Sequence, residues 1–348
     1  MSQLMSPLTY GDVKAAADRI AGRVRPVALA HADPGEVRTA RRGPLDGRAA
    51  EPCEVWLALE FMQHTGSFKA RGAQNFLQAH REAKTLPDAG VTIASGGNAG
   101  LACAWAAKEQ GVTATVFLPA TAPAVKVAGL RGFGADVRLV GTEYADALAA
   151  CEDFAATTGA LASHAYDHPL IAAGAGTVLE EILQQVPDLD TVVVAVGGGG
   201  LFAGVATAAH HHGVRVVAVE PENCRALNAA IAAGRPVDVT VDSVASDALG
   251  ARRASAMALY AAQQADVHSV LVPDSEIVRT RRALWDHRRI AVEHAAATAL
   301  AALTTAPHPA PAAATSAGYR PAEGEKVAVV LCGANTDPGD LAHKRDRG

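Results

Sequence analysis

The feature that most constrains the fold of this 348-residue chain is a rhythm. From about Val91 onward, short runs of β-branched and apolar residues alternate with alanine-rich stretches of helical length. VTIAS (91–95), TATVFL (113–118), DVRLV (136–140), TVVVAV (191–196), RVVAVE (215–220) and KVAVVLC (326–332) read as strands. AGLACAWAAKEQ (99–110), AGTVLEEILQQV (175–186) and AVEHAAATALAALT (291–304) read as helices. Such alternation builds βαβ units around a mostly parallel sheet. Several runs are apolar at every position, as strands covered on both faces should be. An α/β fold is therefore expected. The stretch 306–325, rich in Pro and Ala without periodicity, reads as a surface connection before the last strand.

The length is too great for one ordinary core and points to two domains. With 31 basic against 36 acidic residues and a net charge of −5, the chain carries no electrostatic footprint for nucleic acid or an anionic membrane, so a small neutral or zwitterionic ligand fits better. The N-terminus, MSQLMSPLTYGDVKAAADRI, lacks a cationic segment followed by an apolar run, and no apolar stretch reaches the roughly 20 residues of a spanning helix. A cytoplasmic location is expected. Cys53, Cys103, Cys151, Cys224 and Cys332 are odd in number, scattered and never in a CxxC pair, which argues for reduced thiols over disulfides or structural zinc. The run His210-His211-His212 points in different directions around a helix and reads as a solvated helix end stopped by Gly213 rather than as a metal tract.

Three glycine-marked turns carry polar or reactive groups. In HTGSFKARGA (64–73), Lys69 follows Phe68; a lone lysine is nearly always a solvated surface group. SGGNAG (95–100) joins a strand to a helix, so its amides form a nest for carboxylate or phosphate; the plainer reading is a βα turn in which Asn98 caps the helix. VGGGGLFAG (196–204) again joins strand to helix. Four consecutive glycines are costly in chain entropy, and close approach of the backbone to a phosphate is the usual reason for them, since a packing corner should rarely need all four. The same turn fits a looser dinucleotide pattern, Gly198-x-Gly200-x-x-Ala203 with Glu220 20 residues beyond Gly200. That gives an NAD-dependent oxidoreductase as a competing reading, but the pattern falls past mid-chain and leaves the other two turns unexplained.

Taken in order, SFKARG, SGGNAG, GGGGL and a last strand ending in Cys-Gly-Ala-Asn (332–335) resemble the fold type II pyridoxal-phosphate enzymes. The chain is most similar to the serine/threonine dehydratases (ammonia-lyases), in particular the short catabolic-type L-serine dehydratases. The likeness runs from about Trp56 to Asn335 and takes in SVASDALGA (243–251) and RIAVEHAAATALAAL (289–303).

This resemblance implies a tryptophan synthase β-like α/β fold of two three-layer domains with mostly parallel sheets. Residues 1–67 and 164–348 would form the large cofactor-binding domain and 68–163 a small, mobile substrate-gating domain, with the cofactor in the cleft and a homodimer as the assembly. Lys69 would carry pyridoxal 5'-phosphate as a Schiff base and, once freed by substrate, act as the base at Cα. Phe68 would pack on the pyridine ring, Asn98 would bond the ring hydroxyl and Cys332 would face the ring nitrogen. The amides of Gly197, Gly198, Gly199, Gly200 and Leu201 would hold the phosphate, while Ser95, Gly96, Asn98 and Ala99 would clamp the substrate carboxylate. The implied reaction converts L-serine or L-threonine to pyruvate or 2-oxobutanoate plus ammonia, by Cα deprotonation and loss of the β-hydroxyl. A weak thiol at the ring nitrogen does not favour a pyridinium, which implies a short-lived carbanion and prompt elimination.

The sequence also departs from its relatives. Racemases of this family place a serine immediately before the Gly-Asn pair, where this chain has Gly96, so elimination is expected to dominate. A racemase or a β-replacement enzyme on a related amino acid is the alternative within the family. Glu220 matches one ligand of a cation site seen in some relatives, but the aspartate position holds Ala226; a monovalent ion on backbone carbonyls and an ordinary strand-end acid are the two remaining readings. His64 stands where Pro is common, and His294-Ala295-Ala296-Ala297 replaces a Pro-containing stretch after Glu293, which leaves the preferred substrate open.

Overall fold

The computed structural model describes residues 7–33, 53–304 and 318–342. Among these the strands are β1 (Leu29–His31), β2 (Glu54–Ala58), β3 (Val91–Ala94), β4 (Ala114–Leu118), β5 (Asp136–Leu139), β6 (Leu161–Ala162), β7 (Thr191–Ala195), β8 (Arg215–Pro221), β9 (Val267–Val272) and β10 (Lys326–Val330). They form two sheets, a six-stranded one in the order β1-β2-β10-β7-β8-β9 and a four-stranded one in the order β5-β4-β3-β6. Every pairing is parallel except that of the edge strand β1 with β2.

All six expected strands form, in the expected α/β alternation. Every residue of β7 is buried, so both faces of that strand are covered, and helices Gly200–His212 and His294–Thr304 both pack on β7 and β8. The edge strand β5 departs from this pattern, with Asp136, Arg138 and Leu139 exposed. Strands β1 and β6, at three and two residues, are too short to show a period in sequence.

The helix that begins at Lys69, Lys69–Glu82, docks on helix Pro169–Gln185 through backbone contact. A Cβ at Gly72 would lie 2.7 Å from the Ile171 carbonyl oxygen, and one at Gly174 would lie 2.7 Å from that of Arg71. Just beneath, the fully buried Arg71 guanidinium meets Glu60 at 2.6 and 3.0 Å and Glu181 at 2.6 and 2.9 Å. Removing one partner of such a buried group leaves an uncompensated charge, so the network pins the helix start to its neighbours.

The histidine run ends its helix as expected, at Gly213 with φ +70°. Tyr10 stacks on His211, and His212 meets Glu180 at 2.9 Å. The five cysteines are free thiols, all buried except the half-buried Cys53. Of the expected connection at 306–325, residues 306–317 lie outside the described residues; Glu325, at its end, is buried and accepts from Thr191 and from the Ala322 amide. No described helix is long and apolar enough to cross a membrane.

Candidate active site

The site is assembled where β10 runs out. The Phe61 amide bonds the Leu331 carbonyl and the Phe68 amide bonds the Cys332 carbonyl, each at 2.9 Å, and Ser67 bridges Gly333. The SFKARG turn is thereby laid along the continuation of a strand from the far end of the chain. Phe68 ends this stretch and Lys69 opens the helix, its Nζ 2.6 Å from the Ala165 carbonyl oxygen and 4.9 Å from the Phe68 ring centre. The lysine keeps a partial solvent face, yet its amine lies deep enough that desolvation brings its pKa down to about 8, against the opposing pull of Cys332 and Glu293. The same desolvation, reinforced by Glu293, pushes the Cys332 thiol up, so it stays protonated.

Beyond β7 lies the tetraglycine turn. Gly199, at φ +95°, precedes helix Gly200–His212, whose first turn has no side-chain cap. The amides of Gly197, Gly198, Gly199, Gly200 and Leu201 meet no protein acceptor among the described residues. Free N–H groups at a helix N-terminus form an anion cradle. Packing also crowds these glycines, most severely Gly198, Gly199 and Gly200. A Cβ at Gly197 would lie 3.0 Å from Leu249 Cα, at Gly198 2.4 Å from the Tyr166 ring, at Gly199 2.3 Å from Ala258 Cβ and at Gly200 2.8 Å from the Tyr166 carbonyl oxygen.

A second cradle follows β3. Gly97 is the residue before helix Asn98–Gln110, again without a side-chain cap, and the amides of Gly96 through Ala99 meet no protein acceptor among the described residues. Asn98 therefore does not cap this helix. Its carboxamide instead donates to both oxygens of Glu293, at 2.9 and 3.0 Å, and accepts from Asn335 Nδ2 at 2.7 Å. Ser95 presses its carbonyl oxygen to within 1.9 Å of where a Cβ on Gly100 would sit, so only glycine is tolerated there.

Tyr166, Glu293 and Asn335 shape the site without having been assigned to it from sequence. Glu293 and Asn335 lie in two of the segments the resemblance takes in, whereas nothing local marks Tyr166. Glu220 belongs elsewhere. Fully buried at the end of β8, it accepts from the Leu227 and Asn228 amides, each at 2.7 Å, and burial pushes its pKa up to about 8 against those bonds. With both oxygens engaged by the start of helix Ala226–Ala233, Glu220 is not free for a ribose, so the dinucleotide reading loses its acid. No group of three metal-ligating side chains occurs among the described residues.

A mostly parallel α/β frame that carries a desolvated lysine and two open amide cradles is the equipment of an enzyme that holds a phosphorylated aldehyde. Residues 43–333 match the family described as pyridoxal-phosphate dependent enzyme, and the chain belongs to it. It is 34% identical over 299 residues to an L-threonine ammonia-lyase of Geobacter sulfurreducens, spanning 85% of this chain and 71% of that one. It is 35% identical over 289 residues to the human serine dehydratase-like protein, spanning 81% and 85% respectively. The crystal structure of a pyridoxal 5'-phosphate-dependent aspartate racemase superposes with a TM-score of 0.81 at 28% identity, covering 98% of this chain and 99% of that one. The residues fit the cofactor: five unpartnered amides suit a phosphate, and the Phe68 ring suits an apolar face beside the amine.

Proposed function

We propose that this protein is a pyridoxal-phosphate-dependent ammonia-lyase that converts L-serine or L-threonine to the 2-oxo acid and ammonia. The observation that carries it is the Lys69 amine, desolvated and hydrogen-bonded to Ala165, beside Phe68 and Cys332. Lys69 would hold the cofactor aldehyde, Phe68 one ring face, Asn98 the ring hydroxyl, Cys332 the ring nitrogen and the amides of Gly197 through Leu201 the phosphate. When bound, the cofactor supplies an electron sink for charge developing at Cα. The chain supplies the rest. The amides of Gly96 through Ala99, with Ser95, bind the substrate carboxylate at an uncapped helix start. A lysine brought near neutrality is in part unprotonated at working pH, so its Nζ can take the Cα proton. The protonated thiol of Cys332 offers no negative charge to hold a proton on the ring nitrogen, which favours loss of the β-hydroxyl over a long-lived carbanion.

The segment 68–163, which contains the whole four-stranded sheet, belongs to this reading as the unit that closes on substrate. So do the homodimer, which light scattering measures directly, and the cytoplasmic location. Racemisation is the second reading, favoured by the likeness to an aspartate racemase and opposed by Gly96, which offers no proton donor on the loop.

An absorption spectrum of the purified protein tests the assignment. A band near the visible edge is expected and should vanish in Lys69→Ala, and serine and threonine supplied separately should release 2-oxo acid. A colourless protein, or colour without turnover on either amino acid, would overturn it. A coloured protein that instead makes the D-amino acid or incorporates an added thiol would identify a racemase or a β-replacement enzyme.

A further inference from the structure

Asn98 follows β3 of the four-stranded sheet, whereas Glu293 and Asn335 lie beside helix His294–Thr304 and after β10, on the six-stranded side. Their hydrogen bonds therefore join the four-stranded side to the six-stranded side, and they leave the Asn98 carboxamide one orientation. Asn335 Nδ2 donates to the Thr65 carbonyl at 2.6 Å and to Asn98 Oδ1 at 2.7 Å. A carbonyl can only accept, so the Asn335 group facing Thr65 must be its NH2, and the Asn98 atom that receives its second hydrogen must be oxygen. Asn98 Nδ2 then points at Glu293, which as a carboxylate only accepts. Glu293 is itself held, by its own amide on the Gly333 carbonyl at 3.0 Å and by the Asn335 amide on its Oε1 at 2.9 Å. There is no slack beneath it, since a Cβ at Gly333 would lie 2.6 Å from that oxygen. One Nδ2 hydrogen can serve both carboxylate oxygens, leaving the other for a ligand.

We propose that Glu293 is a positioning residue which, together with Asn335, orients the Asn98 carboxamide so that one Nδ2 hydrogen is presented to the bound cofactor. This rests on the reading that the site holds pyridoxal phosphate. A glutamine at 293 would break the pattern. With its oxygen at the Oε1 place it keeps the Asn335 amide, but its NH2 then takes the Oε2 place against Asn98 Nδ2, donor against donor.

The test compares wild type, Glu293→Gln, Asn98→Ala and the double variant. Thermal melting confirms folding, titration of apo protein gives the dissociation constant of pyridoxal phosphate, and pH titration of the visible band follows the cofactor's protonation. Glu293→Gln should weaken cofactor binding about tenfold and move the midpoint of the band's pH titration in the same direction as Asn98→Ala. The double variant should go little further than either single one. An unchanged dissociation constant and midpoint in Glu293→Gln, while Asn98→Ala alters both, would overturn the proposal, as would strictly additive effects. Should Glu293→Gln not fold, Asn335→Ala is judged by the same readouts and the same outcomes. A wild-type protein without a cofactor band would instead defeat the underlying functional reading.

Discussion

Lys69 Nζ donates to the carbonyl oxygen of Ala165 at 2.6 Å, joining the start of one helix to the segment that leads into the helix it packs on. The contact explains how a lysine at a helix start is held off bulk water. The Gly72–Gly174 contact and the Arg71 network hold the two helices in register, so the distance depends on packing outside the site.

The depressed pKa of Lys69 predicts a pH dependence in the apo protein. Covalent capture of pyridoxal phosphate should rise with pH around a midpoint near 8, well below the 10.5 of a free lysine. The folded amine binds fewer protons than the unfolded one between those values, so stability should increase as pH rises from about 8 to 10.5. Melting curves of Lys69→Met should lack that increment.

Gly96 should govern the partition between elimination and racemisation. The atoms nearest a Cβ there all belong to Leu118, with Cδ2 at 2.8 Å, the movable end of a side chain, so serine can be accommodated. In Gly96→Ser, formation of the D-amino acid by chiral chromatography is expected to rise about a hundredfold, the low end of what a placed proton donor contributes. No change would count against the role given to this loop.

Lys126 and Asp247 form a second link between the four-stranded and six-stranded sides, at 2.6 Å. Lys126 lies in helix Ala124–Gly132 and Asp247 in the short helix Ser246–Leu249, whose backbone abuts Gly197. The pair is solvent-exposed, so its contribution is small and screened by salt. Asp247→Asn should raise KM about two- to threefold at low ionic strength and leave it unchanged in roughly 1 M salt.

The tetraglycine turn is predicted to be intolerant of a side chain even without cofactor. Gly198→Ala drives a methyl into the Tyr166 ring and should cost the apo protein about 1–3 kcal/mol, read as a lowered Tm, with partial recovery in Gly198→Ala/Tyr166→Ala. An apo protein melting like wild type would leave ligand approach as the sole reason for this glycine.

Much of this was legible before any coordinates. The two glycine turns were marked by turn chemistry at strand ends, Lys69 and Cys332 by the family resemblance that the order of the motifs carries, and the alternation of β7, β8 and β10 with helices by local periodicity. Other parts were not. The purpose of Glu220 depends on two amides of the following helix, Tyr166 carries no motif, and the direction of the Asn98 carboxamide depends on residues distant in sequence.

By itself, then, the sequence determined the α/β class and the strands, because periodicity and turn preference act between residues near in the chain, and it singled out Lys69 only through the resemblance its motifs carry. The tertiary structure alone decided what those groups face. Pairing β10 between β2 and β7 brings the Cys332–Asn335 turn beside Lys69, and only that long-range juxtaposition desolvates the amine and closes Glu293 and Asn335 on Asn98.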